Sequence, residues 1–377
     1  MRNLTSILIV AALAGFVACQ SVEPVYSDAD KTCTLTLSSY TDNTSTIVTK
    51  SGTTDAAWDT LVSDVQYIVY RKALDGSFKY YDKKHDTTRI HRKFVNCVPG
   101  DYRIYAVING PDINANTTEQ ALNATDIPLG TYNTRVRISA GEGKYSGGFV
   151  MFGHSDVTIS AGNEDVHIAV KRHLARVNLV GIKNDTEDQI PIKFRYAFLS
   201  NVVCNQVLNG DITSSPTQYQ WDNLRGRVNG TVLNYDNVDA SAQDKHLTLY
   251  KPAQSVTIGY GTTSYFNEKF YGYPNATATD SFDVPSVVDG AVTPTSGKTR
   301  LVVVCSMHDQ SEPDEKDYYF PITFNSATYP FDRSYTYDVT LTVLGIGSED
   351  PNTLVNKAGM RFTIDPWISG QEYSESY

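Results

Sequence analysis

With 42 acidic against 32 basic residues over 377 positions, the chain carries a formal charge of −10 and no long run of Lys or Arg. That balance argues against a nucleic-acid partner, because holding a phosphate backbone depends on clustered cations. Hydrophobic residues at 41% and charged residues at 20% describe a globular rather than a disordered chain, long enough for two domains of ordinary size.

The chain opens with a lone Arg2 and the apolar stretch LTSILIVAALAGFVA over residues 4–18. A short positive start and an apolar core of roughly 15 residues predict a signal peptide over 1–18, too short for a comfortable membrane span. The apolar stretch runs directly into Cys19, Gln20 and Ser21, which resembles a bacterial lipoprotein signal. That resemblance implies a diacylglycerol thioether on Cys19, with cleavage leaving Cys19 as the amino terminus. The other cysteines, Cys33, Cys97, Cys204 and Cys305, are too widely spaced to set a compact disulfide framework. They leave the pairing open and read as small buried hydrophobes.

Downstream, strands are predicted at CTLTLSS (33–39), VQYIVYR (65–71), DYRIYAVIN (101–109) and DVHIAVKR (165–172), each alternating at period two. In the first, Cys33, Leu35 and Leu37 fall on one face and Thr34, Thr36 and Ser38 on the other. TTEQALNAT (117–125) predicts one short helix with Thr117 or Thr118 at its cap. Further strands are predicted at RVNLVGI (176–182), RLVVVCSM (300–307), YYFPITF (318–324), YTYDVTLTVLG (335–345) and MRFTIDPW (360–367). LDGS (74–77), VPGD (98–101), SAGEG (139–143) and SAGN (160–163) supply turns. The pattern predicts an all-β chain with little helix, arranged as β-sandwich domains. No repeat of solenoid or propeller length is visible.

Catalytic and metal motifs are missing from this framework. His85, His91, His154, His167, His173, His246 and His308 are scattered without metal-site spacing. No nucleophile elbow, P-loop or dinucleotide-binding glycine signature occurs. Glu312, Asp314, Glu315, Glu349 and Asp350 read as solvated loop acids. No catalytic residue, cofactor site or metal site is therefore assigned, and binding or assembly is the expected role rather than enzymatic turnover.

The second half carries an ordered series: VKRHLARVNLVGI (170–182), FYGYPNATATDSF (270–282), TRLVVVCSMHDQSEPDEKDYYFPITFN (299–325), RSYTYDVTLTVLGIGSEDPN (333–352) and MRFTIDPW (360–367). This series resembles the Bacteroidales fimbrillin family, the major-subunit type of pilus protein. The resemblance implies two β-sandwich-like, transthyretin-like domains, carried as a lipidated precursor by the lipoprotein export machinery to the outer membrane. It implies that a trypsin-like surface protease cuts after a basic residue following the first strand. Loss of that strand opens a groove that a strand from another subunit fills. The partners expected are further copies of the chain and accessory fimbrial subunits, and the final location an extracellular fimbrium.

Placed on these residues, the signal peptide covers 1–18, and 19–50 is a lipid-bearing linker plus first strand removed on maturation. The two domains cover 51–170 and 171–377. Lys50, followed by Ser51, is the one basic residue in the polar stretch YTDNTSTIVTKSGTTD and the expected cut. Arg71 is a poorer target because it falls within or at the end of a strand. Cys33, Leu35 and Leu37 would be the plugs of the released strand. At the other end Met360, Phe362 and Ile364 alternate with polar residues as a candidate donor strand. The same run also reads as the last strand of the chain's own second domain, with Ile368 and Tyr373 anchoring an exchanging tail. The competing reading is a lipoprotein that does not polymerise, acting as a fimbrial anchor or as a glycan- or protein-binding module.

Overall fold

The computed structural model describes residues 31–41, 62, 64–86, 92–129, 148–200, 202–203, 205–210, 219–220, 227–228, 231–232, 248–275, 287–288, 291–292, 298–308, 314–324, 331–333, 335–349 and 359–368. Strands dominate them. The first half contributes β1 (Cys33–Thr41), β2 (Val65–Lys72), β3 (Phe78–Asp86), β4 (Arg92–Cys97), β5 (Gly100–Ile108), β6 (Met151–Ile159) and β7 (Asn163–Arg172). Between β5 and β6 lies a single-turn helix, α1 (Glu119–Asn123), capped by Thr118, whose Oγ1 accepts the Ala121 N–H at 3.2 Å.

These strands run in the order β3-β2-β5-β6-β7-β1-β4. The sheet does not continue flat through its middle. β6 and β7 pair only at Met151–Arg172 and Phe152–Lys171, so the seven strands fold into two layers, β3-β2-β5-β6 over β7-β1-β4. The corner depends on Gly153, where a Cβ would stand 1.9 Å from the Ala169 carbonyl oxygen. Only a residue without a side chain lets the layers converge there. Alternation then does the packing: Leu35 and Leu37 of β1 and Val95 of β4 share a buried core with Val69 of β2 and with Ile104 and Ala106 of β5.

The second half repeats the plan. It contributes β8 (Ala175–Asn184), β9 (Ile192–Ser200), β10 (Val256–Ile258), β11 (Thr263–Gly272), β12 (Arg300–His308), β13 (Glu315–Thr323), β14 (Tyr335–Val343) and β15 (Met360–Ile368). One layer is β10, β9, β12 and β13, with the two-residue strand Leu249–Tyr250 pairing β9 beside β10; the other runs β11-β8-β14-β15. Strand for strand, β8 pairs antiparallel with β11 and parallel with β14, as β1 pairs with β4 and β7. The order β10, β9, β12, β13 likewise matches β3, β2, β5, β6. Among the described residues β15 has no counterpart in the first half; it adds an edge beyond β14.

The core of the second sandwich continues onto the outer face of the first, at Ile68 and Tyr70 of β2 and Tyr105 and Val107 of β5. The first sandwich's interior is a separate cluster. Phe149 and Tyr271 approach at 4.7 Å between ring centroids. Residues 125–127 and 206–208 form a short antiparallel link through Ile127 N–H to the Gln206 carbonyl at 2.8 Å and Leu208 N–H to the Thr125 carbonyl at 3.0 Å. β7 extends to Arg172 and β8 starts at Ala175, so the expected division at 170/171 falls inside β7. One sequence expectation is corrected here. Glu315 is not a loop acid: it opens β13, where Lys193 Nζ donates to it at 2.7 Å and Ser306 Oγ donates at 2.8 Å. Burial pushes its carboxyl pKa up, but those two bonds together with the Lys193 and Arg195 charges hold it below the usual range.

Candidate strand-exchange site

β1 is an interior strand although it lies near the start of the chain. Six residue pairs bind it antiparallel to β4, from Cys33–Cys97 to Ser38–Arg92. Eight bind it parallel to β7, from Thr34–Asn163 to Thr41–Val170. Cys33, Leu35 and Leu37 all point into the sandwich and are buried, so the alternation written in the sequence sets three plugs along one groove. The groove walls are Val95 and Cys97 from β4, Val166, Ile168 and Val170 from β7, and Tyr67 and Val69 from the facing layer.

Polar ties hold β1 on both faces, Ser38 on the outward side and Ser39 on the inward side. Ser38 Oγ and His167 Nδ1 lie 2.7 Å apart. Tyr67 Oη donates to Ser39 Oγ at 3.2 Å; burial raises the phenol's pKa and keeps it a donor. Burying each Leu contributes roughly 1.5–3 kcal/mol. Removing β1 would also strip partners from the facing edges of β4 and β7. A vacated groove would thus present apolar pockets and unpaired N–H and C=O groups together, the two features an added strand satisfies.

The connection that follows β1 is long. Residues 42–64, 23 in number, separate Thr41 from Val65, whereas most connections within compact domains are about 4–6 residues. Lys50 and Ser51 fall in that interval and lie outside the described residues, as do Cys19, Cys204 and Tyr373. The far end of the interval is anchored. Asp64 is buried, contacts His85 Nε2, accepts from Gln66 Nε2 at 3.4 Å, and donates its N–H to Asn109 Oδ1 at 3.3 Å. Its carboxyl pKa is raised, with burial outweighing the His85 and Gln66 bonds. The next basic residue, Arg71, is within β2 and donates to the Pro99 carbonyl at 3.2 Å.

At the other end of the chain, Met360, Phe362, Ile364 and Ile368 all belong to β15, in register with Val343, Leu341, Val339 and Tyr335 of β14. They are placed on the chain's own second sheet, at its free edge. Met360 is 8% exposed, but Phe362 is 37% exposed. The apolar face of β15 thus passes from buried at Met360 to exposed at Phe362. Sequence patterning picked out β1 but assigned no strand to β4, which brings Val95 and Cys97 to the groove wall. The signal was present, since Lys93, Val95 and Cys97 alternate with Phe94 and Asn96 directly before the VPGD turn.

No protein-family model matches the chain, and no functionally curated protein matches it in sequence. Solved structures do match in fold. A candidate cell adhesion protein of Bacteroides eggerthii aligns with a TM-score of 0.54 at 15% identity, covering 89% of this chain and 95% of that one. A second, from Parabacteroides distasonis, aligns with a TM-score of 0.52 at 15% identity, covering 89% and 98%. A fimbrilin of Porphyromonas gingivalis aligns with a TM-score of 0.52 at 15% identity, covering 90% and 99%. The chain thus has the all-β, two-sandwich fold of Bacteroidales fimbrilin and adhesion-type structures.

Proposed function

We propose that the protein is a structural subunit of a cell-surface fimbria that polymerises by protease-triggered strand exchange and supports adhesion. The observation that carries this reading is β1: an interior strand with three buried plugs, joined to β2 through a 23-residue interval that contains Lys50. Cleavage after Lys50 would cut β1 from the body while the Asp64 anchor keeps β2 in place. The lipid on Cys19, the linker and the first strand would leave together, converting an outer-membrane precursor into an extracellular subunit. The groove would then take a strand from another copy or from an accessory subunit, with the C-terminal segment around β15 as donor. The fold likeness to fimbrilin and adhesion-type structures supports this role, and it supports a non-enzymatic one.

Limited trypsin digestion of the purified full chain, followed by mass analysis and negative-stain microscopy, tests the proposal. The expected result is a new amino terminus at Ser51, loss of the fragment carrying Leu35 and Leu37, and fibres. A nicked chain that keeps its first strand and remains monomeric would refute it. That outcome favours the second reading, a lipid-anchored subunit or binding module, for which the seated β1 and the self-paired β15 are the supporting observations.

A further inference from the structure

We propose that Cys33 and Cys97 form a redox-controlled lock on the first strand, a cross-strand disulfide site that ties β1 to β4. The inference rests on the strand-release reading above. Cys33 and Cys97 are direct partners in the antiparallel β1–β4 register. Both carry free thiols, and both are buried in the same core. Directly opposed residues of an antiparallel pair have Cα atoms about 4.5–5.5 Å apart, within the span of about 4.4–6.8 Å that a disulfide bridges. The backbone thus already holds the two sulfur-bearing residues at bridging separation.

Reactivity is set by access. Burial, reinforced by the neighbouring Cys33, pushes the Cys97 thiol up to about 11, so in the closed sandwich it stays protonated and poorly nucleophilic. β4 is six residues long and ends its layer. Fraying of such an edge needs far less free energy than global unfolding, and it exposes Cys97 to an oxidant. The co-reactant is a low-molecular-weight disulfide. One cysteine thiolate attacks it and displaces a thiolate; the second cysteine sulfur attacks the mixed disulfide and displaces the other. Two cysteine thiols are oxidised, one external disulfide is reduced to two thiols, and the cysteine protons pass to the departing thiolates. The product joins residues on opposite sides of the 42–64 interval. A chain cut at Lys50 would then keep β1 by a covalent bond and could not vacate the groove.

The test treats the purified full chain with oxidised glutathione, maps disulfides by non-reducing mass spectrometry, and then applies limited trypsin with or without dithiothreitol. Expected are a 33–97 linked peptide, a loss of two free thiols, and near-complete retention of the Cys33 fragment that reverses on reduction. Cys97→Ala and Cys33→Ala should each abolish retention under oxidising conditions. Failure to form the 33–97 bridge, or release of the fragment despite it, overturns the lock and leaves strand release standing. A bridge that forms, followed by a reduced and nicked chain that still holds its first strand, overturns strand release and the lock with it.

Discussion

Tyr273 donates its hydroxyl hydrogen to the Ile127 carbonyl at 2.6 Å, across the boundary between the two sandwiches, with both residues buried. Tyr273→Phe keeps the ring and removes the bond, leaving a buried carbonyl short of a partner. The expected loss is about 1–3 kcal/mol, read as a lower urea midpoint with an unchanged denaturant slope. A midpoint equal to that of the parent chain would show that the junction does not rely on this bond.

The corner glycine gives a sharper contrast. Gly153→Ala drives a Cβ into the Ala169 carbonyl at 1.9 Å, a backbone obstacle that cannot rotate away. Destabilisation of about 3 kcal/mol or more is expected, with much reduced soluble yield. Gly162 has a positive φ of 77° but nothing within 4 Å of its would-be Cβ. Gly162→Ala should cost only about 1–2 kcal/mol, the penalty of the left-handed conformation. Comparable losses for the two variants would contradict the crowding argument.

His173 is buried, and neither ring nitrogen has a hydrogen-bond partner. Burial first, and the Arg333 charge second, hold its imidazole down to about 3. The unfolded chain takes up this proton as pH falls below the ordinary imidazole value of about 6.5, and the folded chain does not. Its contribution is therefore fully present above about pH 6.5 and is lost progressively as pH falls toward 3. Between pH 7 and pH 5 the parent chain should lose about 2 kcal/mol more than His173→Phe. Parallel urea titrations of the two proteins check this; identical pH slopes would count against it.

In the first strand, Leu35 has no exposure and sits opposite Val95. Leu35→Ala should cost about 2–5 kcal/mol and speed loss of the first strand after trypsin nicking. Lys50→Ala should abolish release of that strand under trypsin conditions that release it from the parent chain. Strand loss from Lys50→Ala at the parent rate would place the cut elsewhere.

Much of this fold was legible because period two is a direct imprint of a half-buried pleat. Cys33, Leu35 and Leu37 alternate with Thr and Ser and are all buried, and Thr118 caps α1. β3 escaped notice because FKYYDKKHD is an edge strand rich in charge, where neither face needs to be apolar. β9 has Phe194, Ala197 and Leu199 in the main core while Tyr196 and Phe198 fill a separate cluster. Burial on both faces erases the alternation. The duplication of seven-strand topology was invisible, because it is written in pairing order and not in residue identity. The groove needed structure for the same reason: β4 and β7 become its walls only through partners more than 50 residues from β1 in sequence.

The repeated plan contains an inequality with a consequence for growth. β8 holds in the second sandwich the place that β1 holds in the first, yet only residues 173–174 tie it to β7 and residues 185–191 tie it to β9. Short tethers on both sides keep that strand captive whatever happens to the first. On the strand-exchange reading each copy thus owns one slot that can be emptied and one terminal edge strand that can be lent. Such a unit has a valence of two and a built-in direction. Copies joined this way grow as an unbranched thread with unlike ends, and a single copy whose first strand stays in place stops the thread.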